Sequence, residues 1–214
     1  MLNRLLIIYS CLLILGGCIN KEEPMPRIVY TPQPQPKIVQ PRAPKTTRTP
    51  TVTTKSIHGN WLPPSHLEKR WTAIIIHHSA TDNGDAAIFD KWHKEKNWEG
   101  IGYDFVIGNG TDSADGQVEV TYRWRNQETG AHCKTPNNWA NEEGIGICLV
   151  GNFNETMPTN RQMQSLLELV RFLQNRYRIP KSRIYGHKNT PGARVTDCPG
   201  RNFPMAWLKS MLGS

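Results

Sequence analysis

The feature that most constrains the fold is a short apolar run that ends in two histidines. Residues 73–76 read Ala-Ile-Ile-Ile, and His77 and His78 follow at once. An uninterrupted apolar run of this length is typical of a buried strand. Polar side chains at the end of such a strand are held rigidly at an open edge of the sheet, where binding and catalytic groups commonly lie. We therefore predict that His77 belongs to a functional site.

Strand and helix signals alternate through the rest of the C-terminal two thirds of the chain. Strand patterns cover residues 103–107, 117–122, 144–150 and 183–186. Helix patterns begin after Asn83-Gly84-Asp85, after Thr159, which can form a capping box with Gln162, and at Met205. Asn109-Gly110 indicates a hairpin, and the long amphipathic helix after Thr159 indicates a crossover. These patterns predict an α/β fold, with residues 65–214 forming a single domain in which helices flank a mixed central β-sheet.

Residues 1–17 have the order of parts expected of an export signal. One positive charge at Arg4 precedes the apolar run 5–15, which is too short to span a bilayer comfortably. The run ends Leu15-Gly16-Gly17-Cys18, which looks like a bacterial lipoprotein signal with Cys18 as the lipidated residue. An ordinary secretory signal with an incidental cysteine is the alternative. The lipoprotein signal predicts a lipid-anchored protein of the cell envelope. An aspartate directly after the cysteine often signals inner-membrane retention in such lipoproteins. Because Ile19 stands there instead, we expect the protein at the outer membrane, facing the periplasm.

Residues 18–64 predict a disordered, Pro-rich basic tether. Ten of the 16 prolines lie between residues 20 and 64, and apolar residues are too sparse to offset the entropy lost on ordering. Residues 1–64 also carry eight basic and two acidic residues, which accounts for +6 of the net charge of +8. Residues 65–214 are therefore close to neutral, and the charge does not predict a nucleic-acid partner. The basic tether is expected either to contact acidic envelope polymers or to act as a plain spacer.

Two histidines and one cysteine are candidate metal ligands. His187 also follows a short strand pattern, and Cys198 lies eleven residues later in Thr196-Asp197-Cys198-Pro199-Gly200. Two imidazoles and a thiolate suit zinc, and three protein ligands leave the fourth tetrahedral position to water. The spacing alone is weak evidence, because it contains no tight cysteine pair. Composition alone favours the alternative, which is core histidines and an inert buried thiol.

Five segments in a fixed order resolve these alternatives. They are Ile75-Ile76-His77-His78-Ser79-Ala80-Thr81; Trp92-His93-Lys94 with Gly102-Tyr103-Asp104-Phe105; Gly130-Ala131-His132; Gly144-Ile145-Gly146-Ile147; and Gly186-His187 with Thr196-Asp197-Cys198-Pro199-Gly200. Together they resemble the type 2 N-acetylmuramoyl-L-alanine amidase family, which includes peptidoglycan recognition proteins and phage amidases. The resemblance covers about residues 70–208, which is essentially the whole predicted domain.

The resemblance implies a metal set. His77, His187 and Cys198 match the family's zinc ligands, so the implied cofactor is Zn²⁺. In the family the first histidine of the His-His pair binds the metal. His78 is then expected to point to the other face, because side chains alternate along a strand.

The resemblance also implies catalytic and binding roles. Tyr103 matches the family's catalytic tyrosine, which can donate to an oxyanion or position the water. Thr196 matches a position that holds lysine in phage enzymes and threonine in many recognition-protein amidases. Some relatives carry a glutamate where this chain has Cys148, so one obvious general base is missing. His132 is expected either to line the substrate groove or to be structural.

Several other residues have open interpretations. His93 is expected in packing or at the surface, and Trp98, Trp124 and Trp139 are candidates for stacking on sugars or for the core. Cys133 and Cys148 are the one pair that can form a disulfide if Cys198 binds metal, provided that they are close enough.

These observations predict a monomeric, zinc-dependent N-acetylmuramoyl-L-alanine amidase with peptidoglycan and muropeptides as partners. Its zinc-activated water would cleave the amide bond between the lactyl group of N-acetylmuramic acid and L-alanine of the stem peptide. One alternative is a non-catalytic peptidoglycan-binding receptor, although such receptors typically lack the metal cysteine that Cys198 represents. A freely diffusing lytic enzyme of phage type is the other alternative, and the export signal argues against a cytoplasmic wall-recycling amidase.

Overall fold

The computed structural model of the protein describes residues 61–213. The predicted export signal, the predicted lipidation site Cys18 and the predicted tether up to residue 60 lie outside the described residues. Within residues 61–213, every helix is too short or too polar to cross a bilayer.

Strands and helices alternate along the described part of the chain. The strands are β1 (Ala73–His78), β2 (Phe105–Ile107), β3 (Val118–Val120), β4 (Gly144–Leu149) and β5 (Ile184–Gly186). The α-helices are α1 (Ala86–Glu95), α2 (Tyr122–Asn126), α3 (Trp139–Glu142), α4 (Asn160–Tyr177) and α5 (Met205–Met211). Short 3₁₀ turns cover Pro136–Asn138, Lys181–Arg183 and His187–Asn189.

The strands form one mixed sheet in the order β3-β2-β4-β1-β5. β1 is parallel to both of its neighbours, β4 and β5, and β2 is parallel to β4. β3 returns antiparallel to β2 as a hairpin, as Asn109-Gly110 indicates. The predicted α/β fold, a mixed central sheet flanked by helices, is confirmed.

All six residues of β1 are buried, because both faces of the sheet are covered. Ile74 and Ile76 belong to the main core, which also holds the apolar stripe of α4. Ala73 and Ile75 face the other way and pack with Cys133 and Ala140. Because side chains alternate, His77 shares the face of Ile75 while His78 shares the face of Ile76.

The packed core reaches further towards the N-terminus than the predicted boundary at residue 65. Trp61 is only 4% exposed and belongs to the main core. Its ring meets Phe172 of α4 edge-on at 5.6 Å between centroids, and its carbonyl accepts a hydrogen bond from the Trp124 indole at 2.8 Å. The two prolines at 63 and 64 make this stretch look like tether in the sequence, although Trp61 packs as core.

Candidate metal centre and active site

Three remote side chains meet where β1 and β5 end. The two strands are parallel neighbours, and Ile76 pairs with Gly186, so His77 and His187 leave the sheet side by side. Their ring centroids are 4.7 Å apart. The Cys198 Sγ atom lies 3.5 Å from His77 Nδ1. One ligand atom from each of His77, His187 and Cys198 lies within 4.8 Å of the other two, which is close enough for a shared metal ion.

The loop that carries Cys198 is tied to the turn after β5. The Lys188 amide donates to the Cys198 carbonyl at 2.7 Å, and the Cys198 amide donates to Thr196 Oγ1 at 3.2 Å. Gly186 allows this close approach, because a Cβ there would lie 2.8 Å from Pro199 Cδ. The loop is therefore held against β5, and Cys198 faces the two imidazoles.

The cluster has the protonation states of a metal site in its metal-free form. Burial lowers the pKa of His77 well below its ordinary value and also lowers that of His187, so both rings are neutral and offer lone pairs. Burial raises the pKa of the Cys198 thiol to about 12, so a free thiolate there is costly and a bound cation would stabilise it. Two imidazole nitrogens and one sulfur fit zinc.

The cluster is not sealed inside the protein. His77 is only 1% exposed, whereas His187 and Cys198 are half-buried and reach the surface. His78 points away from the cluster, and its Nδ1 accepts a hydrogen bond from the Phe153 amide at 3.1 Å. The site is therefore anchored in the sheet on one side and open on the other.

Tyr103 lies beside the cluster, just before β2. Its ring centroid is 5.2 Å from that of His77, and Thr121 Oγ1 donates to its carbonyl at 2.7 Å. Burial raises the pKa of Tyr103 well above its ordinary value, so its phenol keeps the proton.

Cys148 pairs in register with His77, and burial likewise raises the pKa of its thiol. The described cysteines, Cys133, Cys148 and Cys198, are all free thiols. Cys133 and Cys148 therefore do not form the disulfide that the sequence allows.

Residues 67–201 match the protein family described as N-acetylmuramoyl-L-alanine amidase. The chain belongs to this amidase family. The endolysin of Escherichia phage T7 is 32% identical over 148 residues, which is 65% of this chain and 87% of the phage protein. Peptidoglycan-recognition protein SC2 of Drosophila melanogaster is 32% identical over 139 residues, which is 60% of this chain and 68% of that protein. Among solved structures, the N-acetylmuramoyl-L-alanine amidase LysC of Clostridium intestinale is 35% identical with a TM-score of 0.55, covering 66% of this chain and 84% of that one.

Two predicted residues of the amidase occupy different positions relative to the cluster. Thr196 is half-buried in the Cys198 loop, and its hydroxyl accepts from the Cys198 amide and keeps its own proton to donate. His132 is 8% exposed, and its ring faces His77 and the Gly144 carbonyl. Its position favours the structural alternative over contact with substrate.

Trp98 and Trp124, two of the candidates for stacking on sugars, differ in their burial. Trp98 is 52% exposed, and its ring is 4.9 Å from that of His93, which in turn lies 6.0 Å from Tyr103. These three aromatic rings run from the surface towards the three candidate metal ligands. Trp124 is fully buried and stacks on Trp71, so it belongs to the core.

Two residues that support the site carry no signal in the sequence. Asn141 holds the loop that carries His132, and Thr121 holds the backbone of Tyr103 and Asp104. Their contacts join distant segments, so no local motif in the sequence marks them.

Proposed function

We propose that this amidase is a zinc-dependent peptidoglycan hydrolase that cleaves the bond between N-acetylmuramic acid and L-alanine of the stem peptide. The observation that carries the proposal is the cluster of two imidazoles and one thiol, within 4.8 Å, beside Tyr103 and open to the surface. Membership of the amidase family and the names of its relatives, an endolysin and an amidase, support this substrate and reaction.

His77, His187 and Cys198 would hold the zinc ion. When bound, zinc acts as a Lewis acid on the carbonyl and lowers the pKa of water towards ~7. The chain contributes the rigid end of β1, which fixes His77, and the Cys198 loop, which is hydrogen-bonded to the turn after β5.

Tyr103 would stabilise the charge that develops on the scissile carbonyl oxygen. Because its pKa is raised, the phenol is protonated at neutral pH and donates a hydrogen bond where negative charge forms. Thr196 supplies a second hydroxyl that can donate a hydrogen bond beside Cys198, but a threonine hydroxyl is too weak a base to take a proton from water. Cys148 keeps its proton because burial raises its pKa, so it does not replace a carboxylate base.

Mass spectrometry of products from a defined muropeptide tests this proposal. We expect the zinc-loaded protein to release the free stem peptide, and we expect His77→Ala and Cys198→Ala each to lose both zinc binding and cleavage. The exposed histidine His66 provides a control, since His66→Ala removes an imidazole that is not part of the cluster and should leave both unchanged. Full activity in either cluster variant would refute the assignment.

A non-catalytic peptidoglycan receptor is the second candidate function, because the relatives include proteins named for peptidoglycan recognition. The presence of Cys198 favours the enzyme, since the three-ligand set is complete. The same muropeptide experiment separates the two functions. A receptor would bind the muropeptide and return it intact in the presence of zinc.

We further propose that the protein is lipid-anchored through Cys18 at the outer membrane, with the Pro-rich segment as tether and the amidase domain facing the periplasm. The order of charge, apolar run and Leu-Gly-Gly-Cys supports this location. Labelling of cells with palmitate should mark the wild-type protein and not the Cys18→Ser variant. A soluble wild-type protein without label would favour the freely diffusing alternative.

A further inference from the structure

His132 places a second imidazole directly behind a proposed metal ligand. Its Nδ1 atom lies 3.1 Å from His77 Nε2, and its own Nε2 atom lies 3.2 Å from the carbonyl oxygen of Gly144. His77 thus has one nitrogen facing Cys198 and the other facing His132. The Gly144 carbonyl, His132 and His77 therefore form a continuous chain from the sheet backbone to the candidate metal ligands.

Two glycines make room for the His132 ring. A Cβ atom at Gly130 would lie 2.6 Å from His132 Cδ2, and a Cβ at Gly146 would lie 2.4 Å from the same atom. Both distances are shorter than carbon atoms tolerate, so any side chain at either position would displace the ring. The backbone is therefore shaped around this imidazole.

Hydrogen bonds fix the loop that carries His132. Asn141 Oδ1 accepts from the amides of His132 at 2.9 Å and of Cys133 at 2.8 Å, while the Asn141 carbonyl accepts from Gly130 at 2.8 Å. The Ala131 amide also donates to the Gly102 carbonyl at 3.0 Å. With the backbone held on both sides, the position of the ring is determined by the fold.

The hydrogen-bond partners determine where the protons lie. A backbone carbonyl only accepts, so His132 Nε2 must carry a hydrogen to bond Gly144. The ring is only 8% exposed, and a buried imidazole favours its neutral form, in which the Nδ1 atom then has a lone pair. His77 Nε2 must therefore be the donor to His132. The lone pair of His77 is left on Nδ1, which is the atom that faces Cys198.

We propose that His132 is a positioning residue that holds His77 in the tautomer whose Nδ1 atom faces the metal cluster. The Gly144 carbonyl fixes the proton on His132, and His132 in turn fixes the proton on His77. Partners of this kind orient a metal ligand and increase its basicity, and their loss typically costs about 10- to 100-fold in metal affinity. The inference rests on the proposed metal site, but it concerns a proton position that exists in the metal-free protein as well.

A pair of substitutions separates hydrogen bonding from packing. His132→Asn places its side-chain oxygen near the position of Nδ1 and keeps an acceptor for His77, whereas His132→Leu removes the acceptor. Zinc dissociation constants are measured by competition with a chromophoric chelator, with His66→Leu as the control. We expect His132→Leu to bind zinc about 10- to 100-fold more weakly, His132→Asn to lose less than about tenfold, and His66→Leu to match the wild type.

The proposal fails if His132→Leu binds zinc as tightly as the wild type. It also fails if the two His132 variants are weakened equally, because the acceptor is then not the cause. Long-range ¹⁵N–¹H spectra of the histidine rings in the metal-free wild-type protein keep it testable should His132→Leu not fold. We expect a protonated Nε2 and an unprotonated Nδ1 on both His77 and His132.

A protonated Nδ1 on His77 would overturn the proposal. The proposed function fails in a different way, because a wild-type protein that binds zinc but leaves muropeptides intact would refute the amidase assignment without changing either tautomer. The ring spectra therefore distinguish the two outcomes.

Discussion

Burial controls the protonation of the individual residues around the site. It lowers the pKa of His77 and raises that of Tyr103 and Cys198, so the metal-free cluster consists of neutral groups. The same effect acts on Asp104, which is fully buried next to Tyr103. Burial raises its pKa to about 7, against the hydrogen bond that its Oδ2 accepts from Gly146 at 2.8 Å.

Asp104→Asn should change how stability depends on pH. Between the ordinary pKa of 3.8 and about 7, folded Asp104 holds a proton that the unfolded chain has released. The free energy of unfolding therefore falls as pH rises through this window, because the native state binds more protons. Asparagine keeps an acceptor for Gly146 without a charge, so the variant should gain stability relative to the wild type as pH rises.

Urea unfolding of the metal-free proteins at about pH 5 and about pH 8 measures this difference. Comparing the two proteins at each pH cancels the other titrating groups. Parallel pH profiles would show that Asp104 is ionised in the folded state throughout.

The sequence predicts the three candidate metal ligands more clearly than it predicts the residues that hold them in place. His77, His187 and Cys198 stand out because each lies at the end of a strand pattern or in a recognisable segment. The position of His132 behind His77 depends on glycines at 130 and 146, which come from different segments and meet only in the fold. Nothing local in the sequence distinguishes His132 from a histidine that lines the substrate groove.

At the scale of elements, helix α4 begins as the sequence predicts. Thr159 Oγ1 accepts from the Gln162 amide at 3.0 Å, and the Gln162 side chain accepts from the Thr159 amide at 3.1 Å. The sequence does not predict helices α2 and α3, because segments of five and four residues are too short to show helical periodicity. Long-range contacts stabilise them, such as the packing of Trp124 of α2 on Trp71.

Thr159→Ala should destabilise the protein by about 1–2 kcal/mol, because it removes the cap of α4. The loss is expected near the upper end of that range, since the Thr159 hydroxyl also donates to Asp115 Oδ1 at 2.5 Å. Thr159→Ser retains the hydroxyl and serves as the matched control. Urea unfolding gives both values, and equal stabilities for the alanine and serine variants would show that the capping box contributes nothing.

At the scale of the whole molecule, the fold buries the central strand and leaves its carboxyl end accessible. β1 is covered on both faces, yet His187 and Cys198 reach the surface at its end. The strand patterns and the family motifs in the sequence predict this architecture, because parallel neighbouring strands place their carboxyl ends at one edge of the sheet. The sequence does not predict that Trp61 belongs to the packed core, since a Pro-rich stretch separates it from the first strand.

Trp61→Ala should cost about 3–5 kcal/mol of unfolding free energy, because it empties a filled site in the core. Leu62 is 44% exposed, so Leu62→Ala is a neighbouring control that should change stability by less than about 0.5 kcal/mol. Denaturant unfolding of the two variants tests whether the folded domain includes residue 61. Equal effects would place Trp61 outside the cooperative unit.

Titration of the metal-free protein with Co²⁺, followed in the near-ultraviolet, tests the proposed shared metal site most directly. Cobalt replaces zinc in nitrogen and sulfur sites, and a bound thiolate gives a charge-transfer band. We predict saturation at one equivalent, with a band that disappears in Cys198→Ser and binding that is lost in His77→Ala. A protein that shows no saturable binding, or a band that persists in Cys198→Ser, would contradict the assignment of these three residues to one metal ion.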